Sequence, residues 1–309
     1  MLAQSLIAVL GATFFGFGAA ADKSVQGCGQ KHTTGFINNP ATHSIISGGV
    51  KRSYAIYIPP NINFNQPTSL IVDYHGNNES PEAQYNNSKY FAYKKGEKYI
   101  AVYPAGYKGH WQGPSYADPS INDLQFTTDL LEHIKENYCI DERKIFASGK
   151  SNGGGFVDTL ACSTQGSAFQ AFAMAAAALY TEVGEPKREC QEKRRILESH
   201  GLKDKTIPYN GTLQGNGGPL PNINDWVHTW AIRDGLDPQK DCHTTAKKGY
   251  DIIKCKAQAV SNFITHYRIS ELGHCWPSST GANTDSKRSI CKDRALDFTP
   301  VVLDFFEEA

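Results

Sequence analysis

Ser151 stands inside Gly149-Lys-Ser-Asn-Gly153, a G-x-S-x-G run. A serine hydroxyl is a poor nucleophile near neutral pH. Hydrolysis through it needs exposure, a neighbouring base and donors for the oxyanion that its attack creates. Glycines on both sides remove the Cβ atoms that would clash in a sharp strand-to-helix turn. The flanks have that form: residues 143–147 read as a strand, and residues 156–162 have helical character. A flexible Gly153-Gly-Gly155 loop is the plain alternative, and the strand-turn-helix context favours the nucleophile.

A serine presented in this way calls for an acid and then a histidine on later loops, each at the C-terminal end of a strand. After the apolar run 196–199 comes His200-Gly-Leu-Lys-Asp204, and after the run 263–267 comes Glu271-Leu-Gly-His274-Cys-Trp-Pro277. His274 is therefore the candidate base and Asp204 the acid that orients it. Competing groups are placed less well. His200 sits at a strand exit, where a structural hydrogen bond is expected, and His243 and His266 lack a suitable loop. Glu271 and Asp237 are the fallback acids, against the ordinary role of an aspartate as a surface charge or helix cap.

The oxyanion requires two backbone N–H donors. Asn152, directly after the serine, is one candidate; Asn77, in the loop Asp73-Tyr-His-Gly-Asn-Asn78, is the other, with Gly76 allowing close backbone approach. His75-Gly76 also reads as an ordinary tight turn. Among the tryptophans, Trp226 and Trp230 lie at helical spacing and fit a core, whereas Trp276 beside His274, and Trp111, are candidate contacts for an aromatic or sugar substrate.

The elements needed to position these groups are visible. Apolar runs at 54–58, 70–74, 99–103, 144–147, 171–175, 196–199 and 263–267 read as strands of one mainly parallel sheet. Helices are expected over residues 126–138 and 225–233, giving an α/β fold with a mainly parallel central sheet flanked by helices. Residues 211–224, rich in Gly, Asn and Pro, read as a surface loop over the site. No linker or repeat divides residues 22–309, so a single catalytic domain is expected.

The chain has 309 residues with 31 basic and 31 acidic side chains, a net charge of zero. That balance gives no electrostatic footprint for nucleic acid or an anionic membrane. Residues 1–21 are apolar and end in Ala19-Ala-Ala21, the form of a secretory signal peptide, and too glycine-interrupted for a stable membrane span. Eight cysteines follow, at 28, 139, 162, 190, 242, 255, 275 and 291, an even number suited to disulfides in an exported protein. They form no C-x-x-C pair, so neither a metal nor another cofactor is expected. Cys242 and Cys255 are a candidate local bridge. Sequons lie at Asn78, Asn86 and Asn210; Asn78, beside the oxyanion loop, is expected to carry no bulky glycan.

Taken in order, Cys28-Gly29, His75-Gly76, Tyr103-Pro-Ala-Gly106, Trp111, Tyr138-Cys-Ile-Asp141, Gly149-Lys-Ser-Asn-Gly-Gly-Gly155, Ala161-Cys-Ser163, Gly166-Ser-Ala-Phe169, His200-Gly-Leu-Lys-Asp204 and Gly273-His-Cys-Trp-Pro277 resemble the fungal feruloyl esterases of types C and D. These are carbohydrate esterases related to the polyhydroxybutyrate depolymerase-like esterases. The resemblance implies an α/β-hydrolase fold, secretion, no metal, a Ser151-His274-Asp204 triad and hydrolysis of feruloyl esters on plant cell-wall polysaccharide. The same scaffold resembles acetylxylan esterases and poly-3-hydroxybutyrate depolymerases, which are the alternatives. A catalytically inactive carbohydrate-binding protein is a more remote one, and a peptidase would use the same triad. One departure stands out: a further feruloyl-esterase group has cysteines just before the serine and just after the histidine. Here Lys150 precedes the serine, so the partner of Cys275 must lie elsewhere.

Overall fold

The apolar runs pair side by side, and the turns between them set what each strand end carries. The computed structural model describes residues 27–183, 190–257 and 263–309, so the expected leader at 1–21 lies outside the described residues. The first half comprises β1 (Gly35–Ile37), β2 (Ser44–Ser47), β3 (Val50–Ile58), β4 (Thr68–Tyr74), α1 (Pro81–Ser88), β5 (Tyr99–Pro104), α2 (Asp123–Asn137), β6 (Ile140–Lys150), α3 (Asn152–Ala161) and β7 (Ala171–Ala175). The second comprises β8 (Ile196–Gly201), β9 (Thr212–Gly215), β10 (Gly218–Leu220), α4 (Ile223–Arg233), α5 (Pro238–Asp241), β11 (Cys242–Lys247), β12 (Tyr250–Cys255), β13 (Ile264–Ile269) and α6 (Phe298–Glu307).

The main sheet runs β1-β3-β5-β4-β6-β7-β8-β13-β12-β11, with β2 paired to β3. Its middle, from β5 to β13, is parallel. The edges are antiparallel. Along β4 the pleat sends Leu70, Val72 and Tyr74 to one face and Ile71 to the other. The first face is covered by α2, α3 and α4 through Phe126, Leu130, Phe156 and Trp230. The second is covered by α6 through Val302, Leu303 and Phe306. A sheet buried on both sides explains why its central strands read as continuous apolar runs.

Differences from the sequence reading arise where polar composition hides a strand or cap. The helix expected from 126 begins at Asp123, because Asn122 accepts from the Gln125 N–H and caps it. Residues 211–224, read as a loop, contain the hairpin β9–β10, and Asn222 caps α4. The polar ribbon β11–β12 extends the sheet edge, with Cys242 opposite Cys255 and disulfide-bonded to it, the local bridge expected. The other bridges are Cys28–Cys139, Cys162–Cys190 and Cys275–Cys291. Among the described residues, no helix is long and apolar enough to cross a membrane.

Candidate active site

Ser151 occupies the turn between β6 and α3 at φ 55° and ψ −121°, a conformation that side-chain-bearing residues rarely adopt. Two glycines make the turn possible. A Cβ on Gly149 would lie 2.7 Å from the Gly153 carbonyl oxygen, and one on Gly153 would lie 2.2 Å from the Tyr74 carbonyl oxygen. The serine N–H donates to Ala175 O, and its own carbonyl accepts from Ala178 N, which fixes the turn against β7.

His274 comes from the loop after β13 and Asp204 from the loop after β8. His274 Nε2 is 2.8 Å from Ser151 Oγ, and its Nδ1 is 2.7 Å from Asp204 Oδ2. Asp204 Oδ1 accepts from the N–H groups of Thr206 and Ile207, both at 2.8 Å. Burial disfavours the imidazolium and lowers the His274 pKa below its ordinary value, with Asp204 opposing that shift. Burial would raise Asp204, but hydrogen bonds from His200 and His274 hold its carboxyl below the usual carboxylate range. The three groups expected from separate strand ends therefore form one hydrogen-bonded line.

Behind Asp204 lies a second buried cluster. His200 Nδ1 is 3.0 Å from Glu198 Oε1 and Nε2 is 2.8 Å from Ile207 O. Both ring nitrogens face acceptors, so both carry protons. Burial alone would lower the His200 pKa, but the Glu198 carboxylate and Asp204 push it up to about 10. His266 Nδ1 lies 2.7 Å from the other Glu198 oxygen, and its Nε2 meets Tyr209 Oη at 2.9 Å. The structural role expected of His200 is thus accompanied by an ion pair, and Glu198 and His266 were not marked in the sequence. Glu271 and Asp237, the fallback acids, are solvent-exposed or partly so and carry no contact to His274.

Asn152 opens α3, where its N–H has no partner within the helix. Its side chain is occupied: Oδ1 accepts from Trp111 N and Nδ2 donates to Trp111 O. Asn77 Oδ1 accepts from His110 Nδ1 at 2.6 Å. Trp111 connects the two segments, since its Nε1 donates to His75 O at 2.9 Å.

The two tryptophans offered as substrate contacts are corrected by their burial. Trp111 is 0% exposed and stacks on Phe156; Trp276 is 1% exposed, with Nε1 donating to Thr299 Oγ1. Neither presents ring surface to a substrate. Trp226 and Trp230 are core, as expected, and both donate to Asp158. Cys275 bridges Cys291, which supplies the partner that Lys150 precluded.

No protein-family model matches the chain. Curated relatives do: the chain is 27% identical over 180 residues to a bifunctional acetylxylan esterase/xylanase of Neocallimastix patriciarum, covering 58% of this chain and 25% of that protein. It is 29% identical to feruloyl esterase D of Neurospora crassa over 47% of this chain and 51% of that one. It is 27% identical to feruloyl esterase C of Emericella nidulans, over 70% and 78% of the two chains. The chain is similar to the fungal feruloyl esterases of types C and D. It thus spans a quarter of the bifunctional protein and about half of the type D esterase. Among solved structures, an acetyl xylan esterase from Aspergillus awamori superposes with a TM-score of 0.59 at 14% identity, over 84% of this chain and 94% of that one. The fold is that of the α/β-hydrolases, with the mainly parallel sheet and flanking helices that the sequence implied.

Proposed function

We propose that this protein is a carboxylic ester hydrolase that cleaves feruloyl and related hydroxycinnamoyl esters on plant cell-wall polysaccharide, acting as a secreted single-domain enzyme through an acyl-enzyme. The observation that carries the reading is the hydrogen-bonded line from Ser151 Oγ through His274 to Asp204. It supports a nucleophile, a general base and an orienting carboxylate, and the similarity to the type C and D esterases supports the substrate class.

In this reading His274 Nε2 takes the Ser151 proton as Oγ attacks the ester carbonyl. The N–H groups of Asn152 and Asn77 hold the oxyanion. The imidazolium then gives its proton to the departing sugar hydroxyl, leaving ferulate esterified to Ser151. Water, deprotonated by His274, attacks that acyl-enzyme and frees the acid. Asp204 keeps Nδ1 protonated and stabilises the transient cation. Four disulfides support an oxidising, extracellular setting.

Acetyl esters are the second reading, supported by the similarity to a bifunctional acetylxylan esterase/xylanase. The two are separated by measuring acid released from methyl ferulate, methyl caffeate and acetylated xylan with the purified protein and its Ser151→Ala variant. Ferulate or caffeate release that disappears in the variant is expected. Acetate release alone would replace the hydroxycinnamoyl reading with the acetyl one.

A further inference from the structure

Lys150 directly precedes the nucleophile, yet its side chain is 1% exposed. Burial alone would lower its pKa, but Asp285 and Glu79 hold the ammonium above the ordinary lysine range. Nζ donates to Asp285 Oδ1 at 3.0 Å and to Glu79 Oε1 at 3.2 Å.

Each carboxylate turns its other oxygen to the backbone of a loop in the site. Glu79 Oε2 accepts from Gly76 N at 3.2 Å, next to Asn77. Asp285 Oδ2 accepts from Trp276 N at 2.7 Å, two residues beyond His274. Asn87 holds Asp285 from a third side, donating to Oδ2 at 3.0 Å and accepting from Asp285 N at 3.2 Å. Arg288 Nη1 reaches His274 O at 3.2 Å and Asp285 Oδ1 at 3.5 Å. One ammonium therefore connects the strand end carrying Ser151, the loop carrying Asn77 and the loop carrying His274.

We propose that Lys150 is a positioning residue: an ionic strap that, through Asp285 and Glu79, sets the His274 loop and the oxyanion loop in register with Ser151. This rests on the triad reading above. Stability alone is a poor reason for the arrangement, because desolvating a lysine and a carboxylate costs about as much as their attraction returns. Placement is what the second oxygens supply, since both end on backbone beside a proposed catalytic group.

The strap also has an electrical signature. Facing His274 are Asp204, Ser151, Lys150, Asp285 and, at its carbonyl, Arg288, with His200 behind Asp204; facing Lys150 are Glu79, Asp285 and Arg288. Lys150 disfavours the imidazolium and Asp285 favours it. Removing one or the other shifts His274 in opposite directions.

The test compares wild type, Lys150→Met, Asp285→Asn and the double variant on a simple aryl acetate, whose cleavage does not depend on the hydroxycinnamate assignment. Each single variant is expected to lose about tenfold to a hundredfold in kcat with little change in KM, as for a misplaced catalytic loop. The acid limb of the pH profile should move up in Lys150→Met and down in Asp285→Asn. The double variant, which leaves no unpaired buried charge between these two positions and so guards against simple unfolding, should recover a near-wild-type limb while kcat stays low. Unchanged kcat in a folded double variant, or limbs that move the same way in both single variants, would overturn the strap alone. Turnover that survives Ser151→Ala in otherwise wild-type protein would overturn the triad reading and the strap with it.

Discussion

Asp204 Oδ2 faces two imidazoles at once, His274 Nδ1 at 2.7 Å and His200 Nε2 at 3.4 Å. One is the mobile proton carrier of the proposed chemistry and the other is a fixed cation held by Glu198. The fixed cation makes folding pH-dependent. A folded pKa of about 10 for His200 exceeds the unfolded value near 6.5, so its contribution is full below about pH 6.5 and is lost as pH rises through about 10. Melting temperature is expected to fall across that window in wild type and to fall less in His200→Gln, which should itself be less stable at pH 6 because Glu198 loses one of its two imidazole partners. Parallel melting curves for the two proteins from pH 6 to 10 would remove the charged His200 from the account.

Ser151→Ala leaves the turn intact, because alanine keeps the Cβ already accommodated at φ 55°. Folding should be retained while turnover falls by about three orders of magnitude or more, since His274 and Asp204 cannot act without the nucleophile. Circular dichroism together with single-turnover kinetics checks both halves. Near-normal turnover in the pure variant would exclude the proposed chemistry.

The proposed base must be neutral to act, and burial lowers the pKa of His274. The acid limb of kcat/KM should therefore lie below the ordinary histidine value of about 6.5. A limb above that value in wild type would mean that Asp204 prevails over burial in setting the proton affinity of the imidazole.

The residues that bear the proposed chemistry were legible because each sits at a strand exit, where a single short motif fixes both residue type and place. Ser151, Asp204 and His274 meet at 2.7–2.8 Å although up to 123 positions separate them, since parallel strand order brings their loops to the C-terminal end of the sheet. What supports them was not legible. Asp285 is one aspartate in a polar loop, and only the fold brings it to Lys150, 135 residues away. Trp276, beside His274, and Trp111 were read as substrate contacts because a tryptophan suits a groove wall as well as a core. Burial, which depends on the packing of α3 and α6, decides between them. The ribbon β11–β12 was missed for a related reason, as an exposed edge strand need not alternate apolar and polar residues.

The Cys275–Cys291 bridge closes a segment with a sequence separation of 16 beside His274, and Gly273 N donates to Ile290 O across the same segment. A loop of this size adds about 3 kcal/mol through restriction of the unfolded chain. Paired Cys275→Ser and Cys291→Ser substitution should lower the melting temperature and also slow turnover, because the histidine loop loses its covalent anchor. Equal turnover and an unchanged melting temperature would mean that Asp285, through Trp276 N, suffices to hold the loop.

Gly153 joins the turn of the nucleophile to the oxyanion loop. A Cβ there would lie 2.2 Å from Tyr74 O and 2.5 Å from His75 O, so Gly153→Ala must push the β4 exit and the following loop away from α3. Asn77 lies two residues beyond His75 on that loop, and Ser151 lies two residues before Gly153 on the turn itself, so the substitution acts on both. The expected result is a kcat loss of about a hundredfold to a thousandfold, the scale of one lost oxyanion donor. Labelling of Ser151 by a serine-directed phosphonate should slow with it, because the phosphoryl oxygen needs the same donors. A folded variant with wild-type labelling and turnover would show that close packing of Gly153 on the Tyr74-His75 backbone does not set the geometry of the nucleophile turn or the oxyanion loop.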